Sequence, residues 1–278
     1  RLCYGGQVLR VRGGQLRPER QFAQAGAELI GAPQESADAE VVLLAAEALG
    51  AVGVGDLTVD LSLPPLVSAL VGGLGLDSGQ ATALRQALDR KDGAAVAGLA
   101  GERAALFQAL LRAAGPADEA LAALAPLGLP AEAEAAVGHL ARVVGLLRAS
   151  APGLRLTVDP VEHRGFEYQT GISFTLFAPG ARGELGRGGR YLADGFGGEP
   201  ETSTGFTLYM DTVLRAVPPG GGGTRLFLPP DTPAARARAL RADGWVTVAG
   251  LGPDADPDSE ARRLGCSHVL RDGHAVEL

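Results

Sequence analysis

The chain has 278 residues, 46% of them apolar, enough for one large core and a smaller unit and too apolar for a disordered segment. Its formal net charge is −7 and it carries no run of Lys and Arg, which argues against a surface built to neutralise nucleic-acid phosphates. The two cysteines, Cys3 and Cys266, lie at opposite ends and form neither a metal spacing nor a disulfide framework, as in a reduced cytoplasmic protein.

No stretch is long and apolar enough for a membrane span, and the opening Arg-Leu-Cys-Tyr has no apolar leader core. The sequence starts directly in strand-like residues, so further residues upstream of Arg1 are expected. Residues 1–31 read as a hairpin: Leu2 to Val11, a turn over Arg12 to Arg17 with Gly13-Gly14, then Gln21 to Ile30. In the second strand Phe22, Gln24 and Glu28 alternate onto one face, with Gly26 between the polar pair. Such a face suits the floor of a polar pocket, with Gly26 expected to let a ligand approach.

A helix is predicted over 36–50, capped by Ser36 or Asp38, with Val41-Val42-Leu43-Leu44 and Leu49 as its apolar stripe. Leu57 to Leu61 is a short strand. Residues 62–152 read as a helical insertion, from the spacing of Leu106, Leu110 and Leu111 and of Val137, Leu140, Val144 and Leu147. His139 falls near the apolar stripe of its last helix and reads as a partly buried structural histidine.

Strands return over Leu154–Val158, Glu167–Ala178, Gly183–Gly186 and Thr204–Met210, and the last runs into a helix bearing Val213 and Leu214. Pro218 to Gly223 reads as a flexible linker. From 224 to 278, strands at Arg225–Leu228, Trp245–Ala249 and Val269–Arg271 alternate with helices at Pro233–Ala242 and Asp258–Leu264, a small α/β unit.

Three polar, glycine-containing, strand-borne segments carry the chemistry: Arg20-Gln21-Phe22-Ala23-Gln24-Ala25-Gly26-Ala27-Glu28, Arg164-Gly165-Phe166-Glu167-Tyr168-Gln169-Thr170-Gly171 and Gly188-Gly189-Arg190-Tyr191. Gln24 and Glu28 offer amide and carboxylate groups, Arg164 offers a fork for a carboxylate, and Gln169 and Tyr191 can close on a planar polar group. A zwitterionic amino acid with a hydrogen-bonding side chain suits this set.

In order and context these segments resemble histidyl-tRNA synthetase and its paralogue, the regulatory subunit of ATP phosphoribosyltransferase, over residues 1–217. The resemblance implies an α+β fold of class II synthetase type: an antiparallel sheet with a helical insertion, plus the small C-terminal unit. By position it implies a histidine pocket formed by Gln24, Glu28, Arg164, Tyr168, Gln169 and Tyr191. Gln24 would meet an end of the amino-acid backbone, Glu28 would accept from the imidazole N–H, and Arg164 would face the carboxylate. Gln169 stands where the synthetases have a tyrosine.

The departures from the enzyme are specific. Motif 2, Phe-Arg-x-Glu in the synthetases, reads Leu9-Arg10-Val11-Arg12, so Arg10 remains as an anion-binding residue while the acid is replaced by Arg12. Motif 3, Gly-Phe-x-x-Gly-x-Glu-Arg, reads Gly205 to Thr212, with bulky Tyr209 in place of glycine and Thr212 in place of arginine. Losing such an arginine removes charge stabilisation worth several kcal/mol at a reacting phosphate, about 3 kcal/mol or more for one such group.

These departures favour the regulatory paralogue. No catalytic residue, metal or cofactor is expected. The implied partners are a short-form ATP phosphoribosyltransferase catalytic chain, a second copy of the synthetase-like core, and L-histidine. The implied role is activation of that catalytic chain with a share in histidine feedback inhibition. The alternatives are a divergent histidyl-tRNA synthetase and another histidine-binding module of the same fold.

Overall fold

The structure is a computed structural model that describes residues 1–11, 20–162, 169–194, 198–218, 223–252 and 256–278. The chain divides into two compact units, Arg1–Val217 and Pro218–Leu278.

The first unit is built on an eight-stranded sheet. Its strands are β1 (Leu2–Leu9), β2 (Gln21–Ile30), β3 (Thr58–Ser62), β4 (Gly115–Pro116), β5 (Arg155–Asp159), β6 (Gln169–Phe177), β7 (Gly186–Asp194) and β8 (Pro200–Tyr209). Their spatial order is β1-β2-β8-β7-β6-β3-β5-β4, antiparallel except where β3 meets β5. This bears out the α+β class and its antiparallel-rich sheet.

Two long helices pack against each other, and the first also lies on the sheet. In α1 (Glu35–Ala51), Val42, Ala45 and Leu49 are fully buried; in α7 (Ala131–Ser150), so are Leu140, Val143 and Leu147. Both sets follow helical spacing, and they join Leu61, Ile172, Phe174 and Leu176 of the sheet in one core. Each fully buried Leu or Phe contributes roughly 1.5–3 kcal/mol by leaving water. Glu132 and Glu134 in the first turn of α7 and Arg148 in its last complement the helix dipole.

Between β3 and β5 the chain forms α2 (Pro64–Gly72), α3 (Ser78–Asp89), α4 (Gly93–Leu99), α5 (Ala104–Arg112), α6 (Ala117–Leu124) and α7. Asp77 and Gln80 close a capping box at the start of α3, and the Asp92 side chain caps α4. Gly115-Pro116, expected only as a break, is a two-residue strand at the sheet edge beside β5.

Two local expectations need correction. The strand placed at Gly183–Gly186 is instead Gly186–Asp194, and it carries the whole Gly-Gly-Arg-Tyr segment. Its glycines signal a loop in sequence, but here they permit close packing: a Cβ on Gly188 would lie 2.3 Å from the Gly205 carbonyl oxygen and 2.4 Å from the Phe174 ring. Asp38 is not a helix cap: α1 begins after Gln34, with no side-chain cap, and Asp38 is turned inward and wholly buried. Helix α8 (Met210–Ala216) follows β8 directly, with Thr212 buried in it.

The second unit holds β9 (Arg225–Leu228), α9 (Ala234–Ala242), β10 (Val246–Ala249), α10 (Pro257–Arg263), β11 (His268–Arg271) and β12 (His274–Glu277). Its sheet order is β10-β9-β11-β12, with β10, β9 and β11 parallel. Strand β12 was not expected from the sequence. It returns through Asp272-Gly273, both at positive φ (48° and 81°), the conformation an Asp-Gly hairpin turn requires.

Candidate functional site

Strand alternation builds the site on the sheet face that carries Phe22, Gln24 and Glu28 of β2. Register then assigns their neighbours. Glu28 lies opposite Gly205 and Gln24 opposite Tyr209 on β8, while Gly189 lies opposite Gly205, Arg187 opposite Thr207, and Tyr191 opposite Gln169. These strands enclose a cavity of about 300 Å³. That is the lower end of the small-molecule range, roughly 300–1,000 Å³.

The cavity brings together Arg10, Gln24, Glu28, Gln169 and Tyr191, all named from sequence. Arg164 and Tyr168, also named, lie outside the described residues, as does Arg12. A bulge in β6 between Gln169 and Ser173 sets where Gln169 enters the cavity.

Glu28 is the half-buried acid of the site. Tyr191 donates its hydroxyl to Glu28 Oε2 at 2.9 Å. Burial pushes the Glu28 carboxyl above the usual carboxylate range, and the Tyr191 hydrogen bond partly opposes this. The carboxylate occupies the space over Gly205, where a Cβ would sit 1.8 Å from Oε2. Only glycine at 205 leaves room for that acid.

The space over Gly26 is filled differently from the sequence expectation. The Tyr4 ring of β1 lies across it, so that a Cβ at 26 would be 2.5 Å from the Tyr4 hydroxyl, and that hydroxyl bonds the Thr207 side chain at 2.5 Å. Gly26 thus admits an aromatic side chain from the neighbouring strand. The glycines that line the cavity are Gly188, Gly189 and Gly205.

The far end of the cavity is aromatic and cationic. Phe22 and Tyr209 meet edge to face at 6.1 Å. The Arg10 guanidinium lies over the Phe22 ring at 4.3 Å, and Arg187 donates from Nε to the Tyr209 hydroxyl at 2.6 Å. Tyr209, which stands at the glycine position of motif 3, is 4% exposed and forms this end wall.

Two arginines have no role assigned from the sequence. Arg187 lines the cavity from β7, one residue beyond the strand that the sequence predicts at Gly183–Gly186. Arg190 alternates to the opposite face. It donates to Asp38 Oδ2 at 3.0 Å, reaches Asp38 Oδ1 at 2.9 Å, and donates to the carbonyls of Ala32 and Gln34. His139 Nε2 is hydrogen-bonded to the same Asp38 Oδ2 at 2.7 Å. Gly171 lies directly under the Arg190 stem, where a Cβ would come within 2.8 Å of it.

Residues 1–213 match the family described as histidyl-tRNA synthetase. Over 278 residues the chain is 55% identical to an ATP phosphoribosyltransferase regulatory subunit from Rhodospirillum centenum, covering 100% of this chain and 71% of that protein. Its fold is similar to an ATP phosphoribosyltransferase regulatory subunit/histidyl-tRNA synthetase from Bacillus halodurans, with a TM-score of 0.73, 24% identity and coverage of 94% of this chain and 70% of that one. A chain of the ATP phosphoribosyl transferase (HisG:HisZ) complex from Thermotoga maritima shares the fold at a TM-score of 0.57 and 16% identity, over 68% of this chain and 66% of that one. High identity along the whole chain, the class II synthetase-type sheet and the altered motif 3 at Tyr209 and Thr212 agree: the chain belongs to the family of ATP phosphoribosyltransferase regulatory subunits, relatives of histidyl-tRNA synthetase.

Proposed function

We propose that this chain is a non-catalytic, histidine-sensing subunit that activates a short-form ATP phosphoribosyltransferase catalytic chain and contributes to its feedback inhibition. The observation that carries this reading is the shape and chemistry of the cavity. Glu28, Tyr191, Gln24 and Gln169 surround a space of amino-acid size, and Tyr209 walls off the end where a synthetase keeps a glycine.

In this reading Glu28 accepts from the imidazole N–H of L-histidine, with Tyr191 holding the carboxylate in place. Gln24 meets the amino-acid backbone, and Gln169 closes on the ring. Arg164 and Tyr168 complete the pocket, and Arg10 is a remnant anion-binding residue. ATP activation is unsupported: motif 2 has lost its acid to Arg12, and the motif 3 arginine is the buried Thr212.

A subunit that keeps a ligand pocket without chemistry acts through a partner, and it shifts that partner only by differential affinity for the states of the complex. The HisG:HisZ assembly from Thermotoga maritima supports such a partnership. We further infer self-association through the synthetase-like core and a cytoplasmic setting without nucleic acid; among the described residues no helix is long and apolar enough to cross a membrane.

The test is reconstitution. The full-length protein is mixed with a purified short-form catalytic chain, run through size exclusion, and assayed for phosphoribosyl-ATP. Co-elution and a rate well above that of the catalytic chain alone are expected. Separate elution with no change of rate refutes the partnership.

A further inference from the structure

The three strands that carry Glu28, Gln169 and Tyr191 meet at one side chain on the reverse face of the sheet. Arg190 precedes Tyr191 on β7, so it turns away from the cavity, and it is 5% exposed. Its Nη1 donates to the Ala32 carbonyl at 2.9 Å and its Nη2 to the Gln34 carbonyl at 3.0 Å. Both carbonyls lie in the segment that leaves β2, the strand of Glu28. The Arg190 stem rests on Gly171, inside the β6 bulge that sets where Gln169 enters the cavity. Gln169 in turn lies opposite Tyr191, and Tyr191 donates to Glu28.

The guanidinium fork is what lets one side chain make these contacts together. Nε and Nη2 grip the two oxygens of Asp38 at 3.0 and 2.9 Å while Nη1 and Nη2 reach the carbonyls. An ammonium is a point donor and cannot span a carboxylate and two carbonyls in one plane. Asp38 is itself fixed from α7, where His139 Nε2 is hydrogen-bonded to its Oδ2 at 2.7 Å. Every partner lost here leaves a buried polar group unpaired, so the arrangement is stiff.

We propose that Arg190 is the positioning residue of the pocket, setting from behind the sheet the spacing between Glu28, Gln169 and Tyr191. The proposal rests on the reading that the cavity takes L-histidine. Glu28 meets the ring in that reading, Tyr191 holds Glu28, and Gln169 closes on the ring, so all three must keep their mutual places for the ligand to be gripped. Held in advance, they bind without the cost of ordering them at the moment of binding. Asp38 and His139 serve the same end at one remove, by holding Arg190.

The test is calorimetry with L-histidine on the full-length protein, at a temperature where circular dichroism shows each variant folded. Arg190→Lys keeps the charge and loses the fork. Its histidine affinity is expected to fall by about tenfold or more. The control is Leu49→Ala, which opens a cavity under the same helix, α1, away from the Arg190 contacts. It is expected to lower the melting temperature while binding histidine within about threefold of the parent. An Arg190→Lys protein that binds like the control, both near the parent or both equally weak, is only destabilised and overturns the proposal while the pocket assignment stands. A parent protein that binds no histidine overturns the pocket assignment and the positioning role with it. Should Arg190→Lys fail to fold, Gly171→Ala is the second variant. Its added Cβ, 2.8 Å from the Arg190 stem, pushes the β6 bulge off that stem with every charge in place. It too must weaken histidine, and an unchanged affinity overturns the proposal.

Discussion

Arg190 and Asp38 form a buried ion pair across the boundary between β7 and α1, with side-chain exposures of 7% and 0%. Its neighbour in sequence, Tyr191, points the opposite way and donates to Glu28 in the cavity. One dipeptide therefore anchors α1 with one residue and lines the candidate site with the next. Breaking a buried pair strands a charge, which costs about 3–5 kcal/mol. Asp38→Ala is accordingly expected to lower stability by about that amount in denaturant titration of the full-length protein. A loss below about 1 kcal/mol, the level of a surface pair, contradicts the burial argument.

Glu28 gives stability a pH dependence of defined sign. Its carboxyl titrates above the ordinary glutamate range because it is buried. Between the two ranges the folded state binds more protons than the unfolded state, so stability falls as pH rises through that window. Glu28→Gln lacks this term. Its melting temperature relative to the parent is expected to climb as pH rises through the window. A constant or falling difference contradicts the assignment.

The fold was legible where periodicity was strong. The hairpin, α1 and α7 follow from alternation and helical spacing, and Gln24 and Glu28 fall on one face because strand geometry leaves no other choice. What escaped was set by tertiary packing. Strand β7 looks like a loop because Gly186, Gly188 and Gly189 are poor strand formers, yet each fits where a neighbouring strand leaves no space for a Cβ. Arg187 enters the cavity only because the strand runs on past Gly186. Asp38 has the composition of a cap, and only its partner 152 residues away reveals it as a core ion. His139 read correctly as structural, although its bond to Asp38 across 101 residues has no local signal.

Loss of amino-acid activation is a separate expectation. Arg12 and Thr212 stand where the synthetases have an acid and an arginine, and Tyr209 walls the cavity. No histidine-dependent exchange of pyrophosphate into ATP is expected above a protein-free blank, even at high protein concentration. Robust exchange would return the chain to the synthetases.

Ligand binding tests the acid directly. By calorimetry Glu28→Ala is expected to weaken L-histidine by roughly ten- to a hundredfold, the cost of removing a charged hydrogen-bond partner. Equal affinities in parent and variant would remove Glu28 from the site.

We propose that this cavity carries the feedback signal to a catalytic partner. The most direct measurement is phosphoribosyl-ATP formation by the reconstituted complex, titrated with L-histidine, with parent and Glu28→Ala subunits compared. A shift of the inhibition curve to higher histidine by about tenfold or more is predicted, in step with the loss of binding. Superimposable curves would place the feedback site elsewhere in the complex.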